Sequence, residues 1–136
     1  MAGGKCFHLE VVTPDRQFYI GDADSLVLPA IDGYMGVEAG HEPVVTAIEP
    51  GQLRYKTQGK WEPAAVGAGF VEVKPDHVVL LAGFAEHPEE IDRKRAEAAK
   101  ERAEERLRQK LSMRDYYNSK AALARALARL KAAKRH

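Results

Sequence analysis

One cysteine, Cys6, stands in the whole chain of 136 residues. An internal disulfide and a cysteine-based metal site are therefore excluded, and Cys6 reads as a small apolar residue in a strand. Long apolar runs are missing as well: no stretch approaches the roughly 20 apolar residues of a membrane-spanning helix. The opening Met1-Ala2-Gly3-Gly4-Lys5 lacks the apolar run of an export signal. The expectation is a soluble, unexported protein. Catalytic motifs are also absent. There is no Gly-x-Ser-x-Gly elbow, phosphate loop or His-Glu-x-x-His, and pairs such as Glu89-Glu90 and Glu104-Glu105 read as helix-surface charges. With five scattered histidines and no close His/Asp/Glu cluster along the chain, no metal site is expected. What remains is 45% hydrophobic and 30% charged, a composition that can build a modest core.

Glycine and proline are missing from one part only. All 11 glycines and all 7 prolines precede residue 89, while residues 91–136 hold 11 alanines and a single β-branched residue, Ile91. Charge divides at the same place. Residues 1–90 carry 6 Lys/Arg against 14 Asp/Glu, a balance of −8; residues 91–136 carry 15 against 6, a balance of +9. The first part reads as strands and turns and the second as helix. The boundary falls near Pro88-Glu89-Glu90, where proline suits a first helical position and the acids suit the positive end of a helix dipole. Two units follow: a sandwich over 1–87 and a helical hairpin over 88–136.

In the first unit, Phe7, Leu9 and Val11 alternate with polar residues as a half-buried strand does. Further strands are expected at Asp24 to Leu28, Val44 to Ile48, Leu53 to Thr57, Trp61 to Val66, Phe70 to Val73 and Val78 to Leu81. Turn signals such as Pro14-Asp15, Asp32-Gly33, Pro50-Gly51 and Pro75-Asp76 separate them. Short strands without an intervening helical period predict an antiparallel β-sandwich or barrel.

The second unit predicts two helices, about Ile91 to Leu111 and about Tyr116 to Ala133, with Ser112 or Asp115 free to cap the second. The short connection makes them an antiparallel hairpin. Ala96, Ala99, Ala103 and Leu107 form a narrow stripe on the first helix. An alanine stripe buries little area, so the hairpin needs a partner, a ligand or the sandwich to stay folded. The second helix has two unlike sides: Leu123, Leu127 and Leu130, and opposite them Ala121, Arg125, Ala128, Arg129 and Ala132. One side is core and one solvated, or the helix has two alternative docking faces, as a switch element does.

Four segments occur in a telling order: Val11-Val12-Thr13-Pro14-Asp15; Gly33-Tyr34-Met35-Gly36-Val37 with Gly40-His41-Glu42-Pro43; Gly69-Phe70-Val71-Glu72-Val73; and Ile91-Asp92-Arg93-Lys94-Arg95-Ala96. The chain resembles, almost from end to end, the epsilon subunit of bacterial F-type ATP synthase, whose Ile/Leu-Asp-x-x-Arg-Ala motif the last segment fits. The resemblance implies a β-sandwich that binds the gamma subunit and rests on the c-ring of the proton- or sodium-driven motor. It implies a mobile hairpin that restrains ATP hydrolysis by the alpha/beta catalytic head. It places the chain peripherally on the cytoplasmic face of the bacterial plasma membrane. The +9 tail suits an acidic partner.

The resemblance also implies sites. Tyr34, Met35, Glu38 and His41 match the region that meets the c-ring. Glu86, Asp92, Arg95, Ala96, Arg102, Arg125 and Arg129 match the site at which some members hold ATP as a regulatory ligand, with no obligatory cofactor. The residues make that reading coherent: Arg95 and Arg102 lie seven apart on the first helix and Arg125 and Arg129 four apart on the second, and alanines leave room between them. Four guanidiniums could hold a triphosphate through forked hydrogen bonds, with a carboxylate orienting the base or ribose. The alternatives are arginines merely solvated or paired with Glu97, Glu101 and Glu105, in a subunit regulated only by gamma and beta contacts. A basic helical nucleic-acid-binding module is the reading from another class, since residues 111–136 carry a balance of +6.

Overall fold

The computed structural model describes residues 5–134. Met1 to Gly4, part of the export-signal reading, and Arg135 and His136, part of the basic tail, lie outside the described residues. Ten strands come first: β1 Phe7–Val12, β2 Gln17–Ala23, β3 Ser25–Ala30, β4 Gly33–Glu38, β5 Val44–Ile48, β6 Gly51–Thr57, β7 Lys60–Val66, β8 Gly69–Val73, β9 His77–Ala82 and β10 Ala85–Glu86. A 3-10 turn at Pro88–Glu90 leads to helices α1 Arg93–Leu107 and α2 Met113–Lys134.

The strands join in the order β10-β7-β6-β3-β5-β8-β9-β1-β2, with β4 on the other edge of β3. The sheet folds over on itself at β3, which pairs with β6 through Ser25 to Val27 and with β5 only at Ala30. The core between the layers is apolar and alternates as a sandwich requires. Phe7, Leu9 and Val11 of β1 face Leu26 and Leu28 of β3, Leu53 and Tyr55 of β6, Val71 and Val73 of β8, and Val78 and Leu80 of β9 in one buried cluster.

All seven expected strands are present, and three more appear. β2 buries only Phe18 and Ala23, and β4 only Val37, so neither shows a strong apolar alternation. Gly33, part of the Asp32-Gly33 turn signal, opens β4 at φ +123°, a turn conformation that favours glycine. One pairing departs from the antiparallel expectation: β1 and β9 run parallel, with His8 opposite His77.

α1 begins and ends inside its expected limits, whereas α2 runs past its own at both ends, Met113–Lys134 against the expected Tyr116 to Ala133. Asp92 caps α1, its Oδ1 accepting from the Arg95 amide at 3.0 Å, which moves the start from Ile91 to Arg93. Bonds of the tighter i to i+3 kind at Arg108 and Gln109 close α1 at Leu107 rather than Leu111. Ser112 caps α2, accepting from the Asp115 amide at 3.2 Å.

α2 lies across β6 and β7, and α1 packs chiefly against α2. The buried positions on α2 are Ser119, Ala126, Ala128 and Ala132, while Leu127 is 45% exposed and Leu123 and Leu130 are half-buried. The alanine side, not the leucine side, is therefore packed in this state. Beneath α2, the outer-face pair Gln52 and Ala65 is buried, and the Gln52 Nε2 finds no hydrogen-bond partner among the described residues.

Candidate functional site

Where the hairpin meets the sandwich there is a cavity of about 490 Å³. Its walls are Glu86 from β10, Glu90 from the 3-10 turn, Asp92 to Arg102 along one side of α1, and Ala122 to Arg129 along α2. All seven residues that the sequence points to (Glu86, Asp92, Arg95, Ala96, Arg102, Arg125 and Arg129) line it. Helical periodicity is the cause: Asp92, Ala96, Ala99 and the flanking Arg95 and Arg102 share one side of α1, and Ala122, Arg125, Ala126 and Arg129 share one side of α2. The alanines keep the two backbones close without filling the space.

The arginines are not equivalent. Arg129 is held by Glu86, donating from Nε at 2.8 Å and from the guanidinium end at 3.2 Å, and lies 4.0 Å over the Phe84 ring. Such a planar fork, stacked and paired, is fixed in place. The side chains of Arg95, Arg102 and Arg125 make no ion pair or side-chain hydrogen bond among the described residues, and all three are exposed. Glu97, a candidate partner for such arginines, pairs instead with Arg93 at 3.8 Å, and Glu105 pairs with Arg108 at 2.6 Å. Three guanidiniums without an ion-pair partner among the described residues thus face one cavity and present forked donors of the kind that suit an anion. Asp92 supplies its Oδ1 to the α1 cap.

Glu90 is not a helix-surface charge. Arg16, on the turn between β1 and β2, grips it at 2.7 and 2.8 Å and also donates to the Ala85 carbonyl at 2.7 Å. The Glu90 Oε1 accepts from the His87 amide as well, at 2.7 Å. The Arg16 hydrogen bonds hold the Glu90 carboxyl at a pKa of about 2, against an ordinary 4.5. A depressed carboxylate stabilises the fold above its unfolded pKa, and that contribution is lost as pH falls through the folded value. The clamp should thus act fully above about pH 4.5 and fade toward pH 2. Arg16→Ala should bring the Glu90 titration, followed by carboxyl NMR, back toward the ordinary range; an unmoved titration would assign the shift to the His87 amide alone. The clamp pins the root of the hairpin, so any swing of α1 must begin at the extended residues Ile91 and Asp92.

The residues expected to face the c-ring separate. Tyr34 is 55% exposed, and Glu38 is exposed. Met35 instead packs against the sandwich core, because alternation on β4 turns it inward relative to Tyr34. The His41 Nδ1 lies 2.8 Å from the Glu42 carbonyl. Tyr34 is also touched by the hairpin: Lys131 donates to its hydroxyl at 2.8 Å and lies 4.7 Å over its ring.

Two surface features were hidden from the sequence. Val45, Phe70 and Leu81 are 67%, 61% and 53% exposed on the outer face of β5, β8 and β9, with Phe70 directly opposite Leu81. An apolar patch of this kind marks an interaction face. The other is a His/Glu cluster where none was expected. The parallel register of β1 and β9 brings His8, Glu10 and His77 together across 69 residues of chain.

Comparison with known proteins agrees with this architecture. The family model for the β-sandwich domain of the ATP synthase delta/epsilon chain matches residues 6–88, and that for its long α-helix domain matches residues 89–134. The chain belongs to the delta/epsilon family of ATP synthase subunits. It is 55% identical to the ATP synthase epsilon chain of Ruminiclostridium cellulolyticum, over 95% of this chain and 96% of that one. It is 49% identical to the ATP synthase epsilon chain of Caldanaerobacter subterraneus subsp. tengcongensis, over 97% and 96%. Among solved structures, a chain of the Euglena gracilis mitochondrial ATP synthase, determined by cryo-EM with OSCP, F1 and c-ring, superposes with a TM-score of 0.83. That match covers 96% of this chain and 82% of the other at 26% identity. No described helix is long and apolar enough to cross a membrane.

Proposed function

We propose that this chain is a non-catalytic epsilon-type subunit of the central stalk whose hairpin is an ATP-held brake. It acts on the cytoplasmic face of the bacterial plasma membrane, bound through other proteins. The sandwich couples the gamma subunit to the c-ring, with the patch of Val45, Phe70 and Leu81 docking a protein partner and the exposed Tyr34 and Glu38 facing the ring. The observation that carries the nucleotide reading is the cavity between α1 and α2, with three guanidiniums that make no ion pair among the described residues. A triphosphate there offsets the positive charge of the arginines and ties α1 to α2. Glu86 or Asp92 orients the base or ribose. ATP is a ligand here, not a substrate, and it stabilises the folded hairpin by RT ln(1 + [ATP]/Kd).

The half-exposed leucine side of α2 supports the second half of the proposal. A helix that buries its alanines and leaves Leu127 in water has an apolar face to offer elsewhere. The extended hairpin would turn that face to gamma and its positive charge to the catalytic head. Calorimetric titration of ATP into the purified chain tests the reading. Saturable binding of one nucleotide is expected. A folded chain that binds none up to several millimolar would overturn it, leaving gamma and beta contacts as the only regulators.

Gln52 bears on how firmly the hairpin sits. Its amide Nε2 is buried beneath α2 with no hydrogen-bond partner among the described residues, and such a group costs about 1–3 kcal/mol. Lifting the hairpin returns it to water. Gln52→Leu should therefore favour the folded hairpin by about 1 kcal/mol, slowing amide exchange along α2 roughly fivefold. Unchanged exchange would show that α2 opens without uncovering β6.

A further inference from the structure

On the outer face of the sandwich, away from the hairpin cavity, β1 and β9 form the one parallel pairing among the described strands. Its register sets His8 beside His77, and Glu10, two residues along β1, faces the same way. The Glu10 Oε2 stands 3.4 Å from the His8 Nε2 and 3.2 Å from the His77 Nε2. One ligand atom from each residue lies within 4.8 Å of those of the other two. The two imidazoles are tilted by 52°, with centroids 5.0 Å apart.

We propose that His8, Glu10 and His77 form a binding site for one divalent transition-metal ion, zinc in the first place. Nitrogen and oxygen ligands sit about 2.0–2.1 Å from tetrahedral zinc, which puts neighbouring ligand atoms about 3.3 Å apart. The two separations from Glu10 already have that value before any ion arrives. Two imidazoles and one carboxylate suit zinc and its neighbours better than magnesium or calcium, which take oxygen ligands. Asp22 on β2 adds an outer partner: its Oδ1 lies 4.0 Å from the His8 Nδ1, on the ring nitrogen turned away from Glu10. That distance is too long for a hydrogen bond, but a carboxylate on that side favours the tautomer with its proton on Nδ1, which leaves Nε2 free to bind. The three side chains are 29–41% exposed, so the fourth position opens to water. An ion at this point staples the N-terminal strand to β9 and, through Asp22, biases β2. The site is independent of the nucleotide cavity.

Zinc sulfate titrated into the full, untagged chain tests the proposal by calorimetry, with thermal melting alongside. One saturable equivalent is expected, together with a raised melting temperature. His8→Ala, His77→Ala and Glu10→Gln should each weaken binding at least about tenfold, and Asp22→Asn by a smaller factor. Magnesium chloride in excess should not displace the zinc. The melting curve of each variant without metal shows whether it folds, and Glu10→Gln keeps the strand's size and register. No saturable binding, or binding that survives in all three ligand variants and so belongs to other groups of the chain, would overturn the proposal.

Discussion

Alanine at both Arg95 and Arg125 should weaken the proposed ATP binding about a hundredfold or more. Each is a charge-assisted donor facing the cavity, and a hydrogen bond to a charged group contributes about 1.5–3 kcal/mol, so two removed together exceed the 2.8 kcal/mol of a hundredfold change. The fold should not suffer. Both side chains are exposed and make no side-chain hydrogen bond or ion pair among the described residues, and surface substitutions of that kind stay within about 0.5 kcal/mol. Without ATP, the double variant should hold its hairpin down more firmly than the wild type. Four guanidiniums converge on one space with only Arg129 matched by an acid of the cavity, Glu86, and their mutual repulsion favours opening. Calorimetry on the variant, with amide exchange along α2, separates the two effects. Wild-type affinity in the double variant would mean that the nucleotide does not sit between the helices. Arg95→Lys and Arg125→Lys should keep part of the affinity, because an ammonium keeps the charge and loses the fork.

The architecture was largely legible because its two units use different residues. Glycine, proline and β-branched residues crowd the sandwich; alanine, leucine and arginine fill the hairpin. β2 and β4 escaped because each buries one or two residues and carries glycine, so a pattern based on alternation had little to hold. The cavity residues were legible because they are local: i, i+3, i+4 and i+7 spacings fix which side chains share a helix side. What sequence alone missed depends on pairings distant along the chain. Glu90 looked like a helix-surface acid until Arg16, 74 residues earlier, was found gripping it. His8 and His77 looked scattered until a parallel register set them side by side. The leucine side of α2 shows the opposite limit. Periodicity separated the two sides of the helix, but only packing could say that the smaller side chains are the buried ones here.

Gly69→Ala should destabilise the sandwich by about 3 kcal/mol or more. β8 lies between β5 and β9, and Gly69 pairs with Ile48 on one side and Ala82 on the other. A Cβ at this position would run into the Leu81 carbonyl oxygen, with the Leu81 carbon 2.8 Å and the Ala82 Cα 2.9 Å away. These are backbone atoms of the paired strand, so relief requires moving a ladder rather than a side-chain tip. Overpacking in a well-packed region costs about 1–3 kcal/mol, and a backbone collision belongs at or above the top of that range. At roughly 4–8 °C per kcal/mol for a domain of this size, the melting temperature should fall by more than about 10 °C. Gly36→Ala is the matched control, since a Cβ there meets nothing within 4 Å. The strain has a place to go: Leu81 carries the exposed side chain opposite Phe70, so a displaced β9 shifts the apolar patch proposed to dock the stalk. The proposed binding of this patch to the gamma subunit should then weaken in Gly69→Ala even at temperatures where the variant remains folded, and Gly36→Ala should bind as the wild type does. Equal melting temperatures for the two variants would show that β8 and β9 can part at this point without loss, and the requirement for glycine at the head of Gly69-Phe70-Val71-Glu72-Val73 would need another cause.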